Sequence, residues 1–278
     1  MHPSRPRRPP EPYTIVQTSP DSGLGPRDVR VWLLRAPEDA GPEDARRCEA
    51  LLSPDELARM RRFRFGTDRR RYLFAHALVR HTLSRYAPDM PPVRWRFETN
   101  EHGRPHVAGA APGTAAARLR FNLSHTAGLV ACVVARDRDV GVDVEHTRPA
   151  RGDFGLEIAP HYFAPVEVAA LAAQPAANQR DWFFAFWTLK EAYIKARGMG
   201  LALPLSGFAF DLRDEGAAAS PDIAVAFASS VADDPARWYF ERRLPSPHHA
   251  LALAVRRAPD EALAVTVEEA PADFPASP

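Results

Sequence analysis

The stretch "DWFFAFWTLKEAYIKARG", Asp181 to Gly198, constrains this chain most. It contains no proline, and its one glycine is its last residue, so it reads as a long helix closed at Gly198. Phe183, Phe184, Phe186, Trp187, Tyr193 and Ile194 make it too apolar to lie free on a surface, so most of these side chains belong to a core. The same helix carries Lys190 and Lys195, and every other cation among the 36 Lys plus Arg is arginine. Glu191 and Lys195, four apart, share a helix face, with Trp187 one turn earlier. A surface Glu–Lys pair would be served equally well by arginine. A compact ammonium on a flexible stem differs from a planar guanidinium in reach, so two lysines on one acid-bearing helix point to a site that needs an ammonium. Lys190 points about 100° away from Glu191, which leaves solvent, a phosphate or a partner as its contact.

The rest of the chain supplies elements that can bury such a helix. "DVRVWLLRA" alternates as a strand does. "SPDELARMRRF" opens a helix with a Ser N-cap and Pro at the first helical position. "RRRYLFAHALVRHTLSRYA" places Leu73, Phe74, Ala77, Leu78 and Leu83 at helical spacing. "VRWRFETNEHGRPHV" reads as two extended pieces about a Gly turn, and "RLRFNLSH", "LVACVVARD" and "DVGVDVEH" as three successive strands. After the long helix come "LSGFAFDLR", "IAVAFA", "WYFERRL" and "HALALAVRR", also strand-like. The order helix, strands, then a Ser and His before a small apolar strand occurs twice, which suggests two like halves with a cleft between them. The division is 1–27 as a Pro/Arg-rich disordered tail, 28–136 as an N-terminal half, 137–269 as a C-terminal half and 270–278 as a flexible tail.

Composition narrows the function. The formal net charge of +1 gives no global field for nucleic acid or a membrane surface. Cys48 and Cys132 lie far apart without a C-x-x-C partner, which fits a reducing cytoplasm rather than a disulfide or zinc framework. The run "LVACVVA" is too short to span a bilayer, and no apolar stretch follows the basic N-terminus as a signal peptide requires.

Four segments carry possible chemistry. In "GVDVEH", strand alternation turns Val142 and Val144 to the core and projects Asp143 and Glu145 together on the other side. Two such carboxylates repel unless a cation lies between them, and carboxylate oxygens suit Mg²⁺; a solvated strand face also fits. In "FNLSHTAG", Ser124 and His125 end a strand before a turn, where hydroxyl, imidazole and backbone N–H groups can hold a phosphate or simply cap the turn. A Ser–His nucleophile pair is disfavoured, because adjacent residues of an extended chain point apart and G-x-S-x-G is absent. "ARMRRFRFGTDRRR" sets seven arginines, Arg59 to Arg71, against Asp68 alone; a solvated helix face and a small phosphorylated ligand both account for it.

Taken in order, "FNLSHTAG", "GVDVEHTRP" and "FWTLKEAYIKARGMGLALPL" resemble the Sfp-type 4'-phosphopantetheinyl transferases, with "SPDELARMRRF", "NEHGRPHV" and "HYFAPVEVAAL" in support; the likeness covers roughly residues 30 to 258. The resemblance implies an α/β fold of two similar halves about a pseudo-two-fold axis, each a small, mainly antiparallel sheet packed on a long helix. The N-terminal half would bind coenzyme A, and the C-terminal half would hold the metal-binding acids and the catalytic helix. It implies transfer of the phosphopantetheine arm of coenzyme A, with Mg²⁺, to a serine of an acyl or peptidyl carrier protein, releasing adenosine 3',5'-bisphosphate. By position, Asp143, Glu145 and Glu191 match the metal-binding acids, and Glu191 is also the candidate base. Lys195 would neutralise the diphosphate and protonate the leaving oxygen. Ser124, His125, Arg59, Arg71 and Arg104 match coenzyme A contacts, Arg104 in place of a lysine, whereas Tyr72 stands where some relatives carry a small hydroxyl residue. The carrier would dock near "ARGDFGLEIAPHYF". Two halves within one chain suggest a monomer. Another Mg²⁺-dependent phosphotransferase or pyrophosphatase, and a non-catalytic carrier-binding module, are the competing classes; the absence of Walker A and kinase signatures counts against the first, and the intact acids and Lys195 against the second.

Overall fold

The computed structural model describes residues 23–35, 37–148, 156–212, 223–271 and 274–275. The expected tail at 1–27 falls mostly outside these residues, as does the first part of the expected docking segment. The elements are β1 (Asp28–Arg35), α1 (Pro42–Glu49), α2 (Pro54–Arg61), α3 (Gly66–Tyr86), β2 (Arg96–Thr99), β3 (Pro105–Ala108), α4 (Ala115–Arg118), β4 (Leu119–Thr126), β5 (Leu129–Arg136) and β6 (Val140–His146). There follow α5 (Ala159–Tyr162), α6 (Pro165–Ala172), α7 (Ala176–Arg197), β7 (Phe208–Phe210), β8 (Val225–Phe227), β9 (Trp238–Ser246), β10 (His249–Arg256) and β11 (Ala264–Glu269).

Two small sheets form the centre, one in the order β11-β1-β5-β4 and the other β6-β10-β9; β2–β3 and β7–β8 are separate hairpins. Among the described residues, the strand pairings are antiparallel except β1 with β11, which run parallel. Period-two alternation sorts the strands into layers. Val29, Val31 and Leu33 of β1 and Ala131 and Val133 of β5 meet Val142, Val144, Leu251 and Leu253 of the second sheet in a shared apolar layer. The other faces of β1 and β5, through Trp32, Val130, Cys132 and Val134, pack with Leu73, Phe74, Ala77 and Leu78 of α3. On the far side, Ala250, Ala252 and Ala254 of β10 and Phe240 of β9 pack with Phe186, Leu189 and Tyr193 of α7. Each long helix thus covers one small sheet, and the sheets face each other.

The local signals act as their chemistry dictates. Ser53 caps α2, accepting from the Glu56 amide at 3.3 Å while Glu56 accepts from the Ser53 amide at 2.9 Å. Gly198 ends α7 in the left-handed region at φ +64°. The order of elements repeats, α3–β2–β3–β4–β5–β6 against α7–β7–β8–β9–β10–β11, and in each series the last strand pairs with a strand of the other series or of the chain's start. β11, in the part of the sequence assigned to the second half, lies in the first sheet beside β1. Within the segment expected as a flexible tail, Phe274 is buried and meets His81 of α3 edge to face at 5.3 Å; a large ring beside an apolar helix has more to gain from burial than from solvent.

Candidate active site

α7 lies on the smallest side chains of the second sheet. A Cβ on Gly141 would stand 2.1 Å from the Ala192 carbonyl oxygen and 2.5 Å from the Ala196 nitrogen, so no other residue admits the helix this closely. Glu191 and Lys195 precede those two alanines, and Asp143 and Glu145 follow Gly141, so the close approach gathers all four groups.

Lys195 Nζ lies 2.6 Å from Asp143 Oδ1 and 3.1 Å from Ser124 Oγ. Ser124 donates its hydroxyl to the same Asp143 oxygen at 3.0 Å and accepts from the Val144 amide at 3.2 Å. The other oxygen, Asp143 Oδ2, is buried without a hydrogen-bond partner. Burial first, then the Asp143 charge, lifts Glu145 from its ordinary 4.5 to about 7, against the opposing pull of Lys195 and a hydrogen bond from Trp187. Burial and Asp143 also raise Glu191, again opposed by Lys195. Three carboxylates therefore share the field of one ammonium. Among the described residues, no group of three or more His, Cys, Asp and Glu is arranged to hold a metal ion. The acids of β6 each have their own partner instead: Lys195 and Ser124 for Asp143, Trp187 for Glu145.

The remaining expected residues divide. Arg59 is exposed and lines a cleft of 1030 Å³ in the first half, together with Tyr72, His76, Arg80, Phe121 and Leu123. β4 carries Phe121 and Leu123 on this wall and Ser124, on its opposite face, at the acids, so the cleft and the acid site lie on the two sides of one strand. Its floor is built round Glu56, which accepts from His76 at 2.9 Å and Arg80 at 2.8 Å; burial would raise this carboxyl, but His76, the Ser53 amide and Arg80 hold it at about 2. Tyr72, expected as a departure from the small hydroxyl residue of some relatives, stacks on His76 at 3.9 Å. His125 lies at the exposed end of β4, its pKa lowered by crowding first and then by the charges of Arg71 and Lys195. Arg71 is tied to Glu38 at 3.1 Å and Asp68 at 3.4 Å.

Two expected ligands have structural work. Arg104 donates to the Ala196 carbonyl at 2.6 Å and to Asp139 at 3.1 Å, fastening the β2–β3 turn to the end of α7, where Asn100 also donates to the Gly198 carbonyl at 2.6 Å. A cation suits the negative end of a helix. The Ser124 hydroxyl spends its one proton and both lone pairs within the protein. Lys190 touches neither solvent nor a cleft. Its ammonium donates to Glu167 Oε2, the Leu205 carbonyl and the Phe208 carbonyl, each at 2.7 Å. Sequence reasoning missed Glu167 and the Glu56–Arg80 floor; Glu167 and Glu56 each sit two residues after a proline that starts a helix, which marks a cap but not its long-range partner.

Two family models match this chain: the 4'-phosphopantetheinyl transferase superfamily over residues 139–254 and the 4'-phosphopantetheinyl transferase N-terminal family over residues 40–137. The 4'-phosphopantetheinyl transferase HetI of Nostoc sp. (strain PCC 7120 / SAG 25.82 / UTEX 2576) is 35% identical over 68% of this chain and 77% of its own. The 4'-phosphopantetheinyl transferase Sfp of Bacillus subtilis (strain 168) is 35% identical over 63% of this chain and 72% of its own. The crystal structure of Thermotoga maritima holo-[acyl-carrier-protein] synthase overlaps 43% of this chain and 63% of that one, with 21% identity and a TM-score of 0.32. The chain belongs to the 4'-phosphopantetheinyl transferase superfamily and is an enzyme of that type.

Proposed function

We propose that this transferase moves the phosphopantetheine arm of coenzyme A to a serine of an acyl or peptidyl carrier protein, with Mg²⁺. The observation that carries the reading is the gathering of Asp143, Glu145, Glu191 and Lys195, from one strand and one helix, into a common field. What supports a divalent ion is the donor chemistry rather than a preformed cage: a buried Asp143 oxygen has no partner, carboxylates outnumber the ammonium, and all the donors are oxygens, as Mg²⁺ prefers. Asp143, Glu145 and Glu191 would hold Mg²⁺, which would supply positive charge against the diphosphate and the leaving bisphosphate; Glu191 serves either as the third ligand or as the base below, not as both at once.

The protein's own groups do the rest. Lys195 places an ammonium where the diphosphate must lie and can return a proton to the leaving oxygen. Glu191, raised by burial and by Asp143, is a better proton acceptor than an ordinary surface glutamate. The serine oxygen bonds to the phosphorus bearing the pantetheine arm, the bond from that phosphorus to the bridging oxygen breaks, and the serine proton passes to Glu191. Adenosine 3',5'-bisphosphate departs. The 1030 Å³ cleft supports an adenosine site, with Arg59 on its wall; His125 and Arg71 remain the proposed contacts of the 3'-phosphate, His125 as a neutral hydrogen-bonding ring because its pKa is lowered. We assign Arg104 and Ser124 to holding α7 and Asp143 in place. Exposed Tyr162, edge-on to Trp187, and exposed Val166 favour a carrier docking near α5 and α6. The repeated element order supports two halves related by a pseudo-two-fold axis, and the free, buried Cys48 and Cys132 suit a reducing cytoplasm. Among the described residues no helix is long and apolar enough to cross a membrane.

Intact-mass measurement of apo-carriers incubated with the enzyme, coenzyme A and Mg²⁺ tests the reading. One phosphopantetheine group on the carrier serine is the expected result. Coenzyme A consumed with the carriers unmodified would replace it with a hydrolase.

A further inference from the structure

β4 is an edge of the four-stranded sheet and β6 an edge of the three-stranded one. They lie side by side, and three β4 side chains join them. Asn122 Oδ1 accepts from the Val142 amide at 3.0 Å, Ser124 Oγ from the Val144 amide at 3.2 Å, and Thr126 Oγ1 from the His146 amide at 3.1 Å. Each bond spans 20 residues, so both strands advance two residues per rung, as parallel neighbours in register do. Side-chain oxygens stand where carbonyls of a neighbouring strand would.

The spacing has a consequence for the acids. The rungs at Val142 and Val144 bracket Asp143, and those at Val144 and His146 bracket Glu145. Val142 and Val144 enter the layer between the sheets, while Asp143 faces Lys195 of α7. A slip of one residue would turn both acids toward the apolar layer and both valines toward the site. The antiparallel ladder to β10 holds the other edge of β6; on the β4 side these bonds, together with the apolar layer under Val142 and Val144, tie the acids to the first half. Short oxygen-bearing side chains at every second position are what this gap requires; a longer chain would push the strands apart, and an apolar one would leave a buried amide unpaired.

We infer that Asn122, Ser124 and Thr126 form a register-setting ladder between the two halves, and that Asn122 and Thr126 are positioning residues for the transfer reaction. This rests on the reading of Asp143 and Glu145 given above. No sequence signal singled out Asn122 or Thr126.

Residue-resolved amide hydrogen exchange on the wild-type chain is the first test. The Val142, Val144 and His146 amides should be protected, and free exchange at these positions would overturn the ladder. Thr126→Val keeps the shape and removes the acceptor. It should speed His146 exchange roughly tenfold, as a lost hydrogen bond does, and lower kcat by a similar factor with KM for coenzyme A little changed. Thr126→Ser should restore both. His146 exchange unchanged in Thr126→Val would overturn the ladder, and faster exchange with kcat unchanged would overturn the positioning role. A wild-type chain that transfers nothing would overturn the functional reading and the positioning role with it, while exchange would still judge the ladder on its own.

Discussion

Two lysine–carboxylate contacts lie five residues apart on α7 and behave as opposites. Lys190 and Glu167 are fully buried, 2.7 Å apart, and saturated. The three ammonium protons have three acceptors, and Glu167 takes the Ala164 amide at 2.8 Å and the Phe210 amide at 2.9 Å besides. Burial pushes Glu167 up and Lys190 down, and each is held against that by the other's charge. Lys195 and Asp143 are as close, at 2.6 Å, but Lys195 keeps 28% of its side chain exposed. Asp143 has an oxygen without a partner, and two more carboxylates press on it. A cluster whose charges and hydrogen bonds balance holds elements together: here α6, α7 and β7. One with surplus negative charge at an open edge is prepared for a cation and a phosphate. The contrast also explains the two lysines. Three acceptors around one nitrogen suit the tetrahedral ammonium of Lys190 and not a planar fork, and Lys195 needs a compact charge beside Asp143.

The contrast breaks if the two clusters respond alike to mutation. The largest effect is expected at the open one. Glu191→Gln should lower kcat by about 10²–10⁴-fold, and Asp143→Asn comparably, in steady-state transfer assays. Thermal unfolding of Glu191→Gln should be unchanged or raised, because a like charge is removed, whereas Asp143→Asn also gives up the ion pair to Lys195. At the closed cluster, Glu167→Ala strands a buried ammonium and should cost about 3–5 kcal/mol in denaturant unfolding, with kcat of the folded protein little altered. A tolerated Glu167→Ala would end the distinction.

A smaller effect should appear with pH. Glu145 is raised from 4.5 to about 7, so its contribution to stability is complete below 4.5 and is lost as pH climbs through about 7, on the order of 3 kcal/mol. The difference in Tm between wild type and Glu145→Gln, followed from pH 5 to 8, isolates it; a flat difference would show that the acids do not share a field. Smallest is Arg104→Ala, which removes the tether to α7 at about 1 kcal/mol, measurable as a shift in Tm.

Much of this was legible in the sequence where geometry is local. Strand alternation set Asp143 and Glu145 on one face, helical spacing set Glu191 above Lys195, and Gly198 marked the end of α7. What depended on distant partners was not legible. β11 pairs with β1 from the other end of the chain, and its "LAVTVEE" carries no mark of that partner. Glu167 could be read as a cap residue of α6, but nothing near it names Lys190. Arg104 was expected at coenzyme A from the family resemblance, and its actual partners, Asp139 and the Ala196 carbonyl, become visible only once α7 is placed beside the turn.

The most direct test is isothermal titration of Mg²⁺ with coenzyme A into the wild-type chain and into Asp143→Asn. The account predicts saturable, Mg²⁺-dependent binding of coenzyme A by the wild type and loss of the Mg²⁺ dependence in Asp143→Asn. Equal Mg²⁺-dependent binding by the two proteins would contradict it.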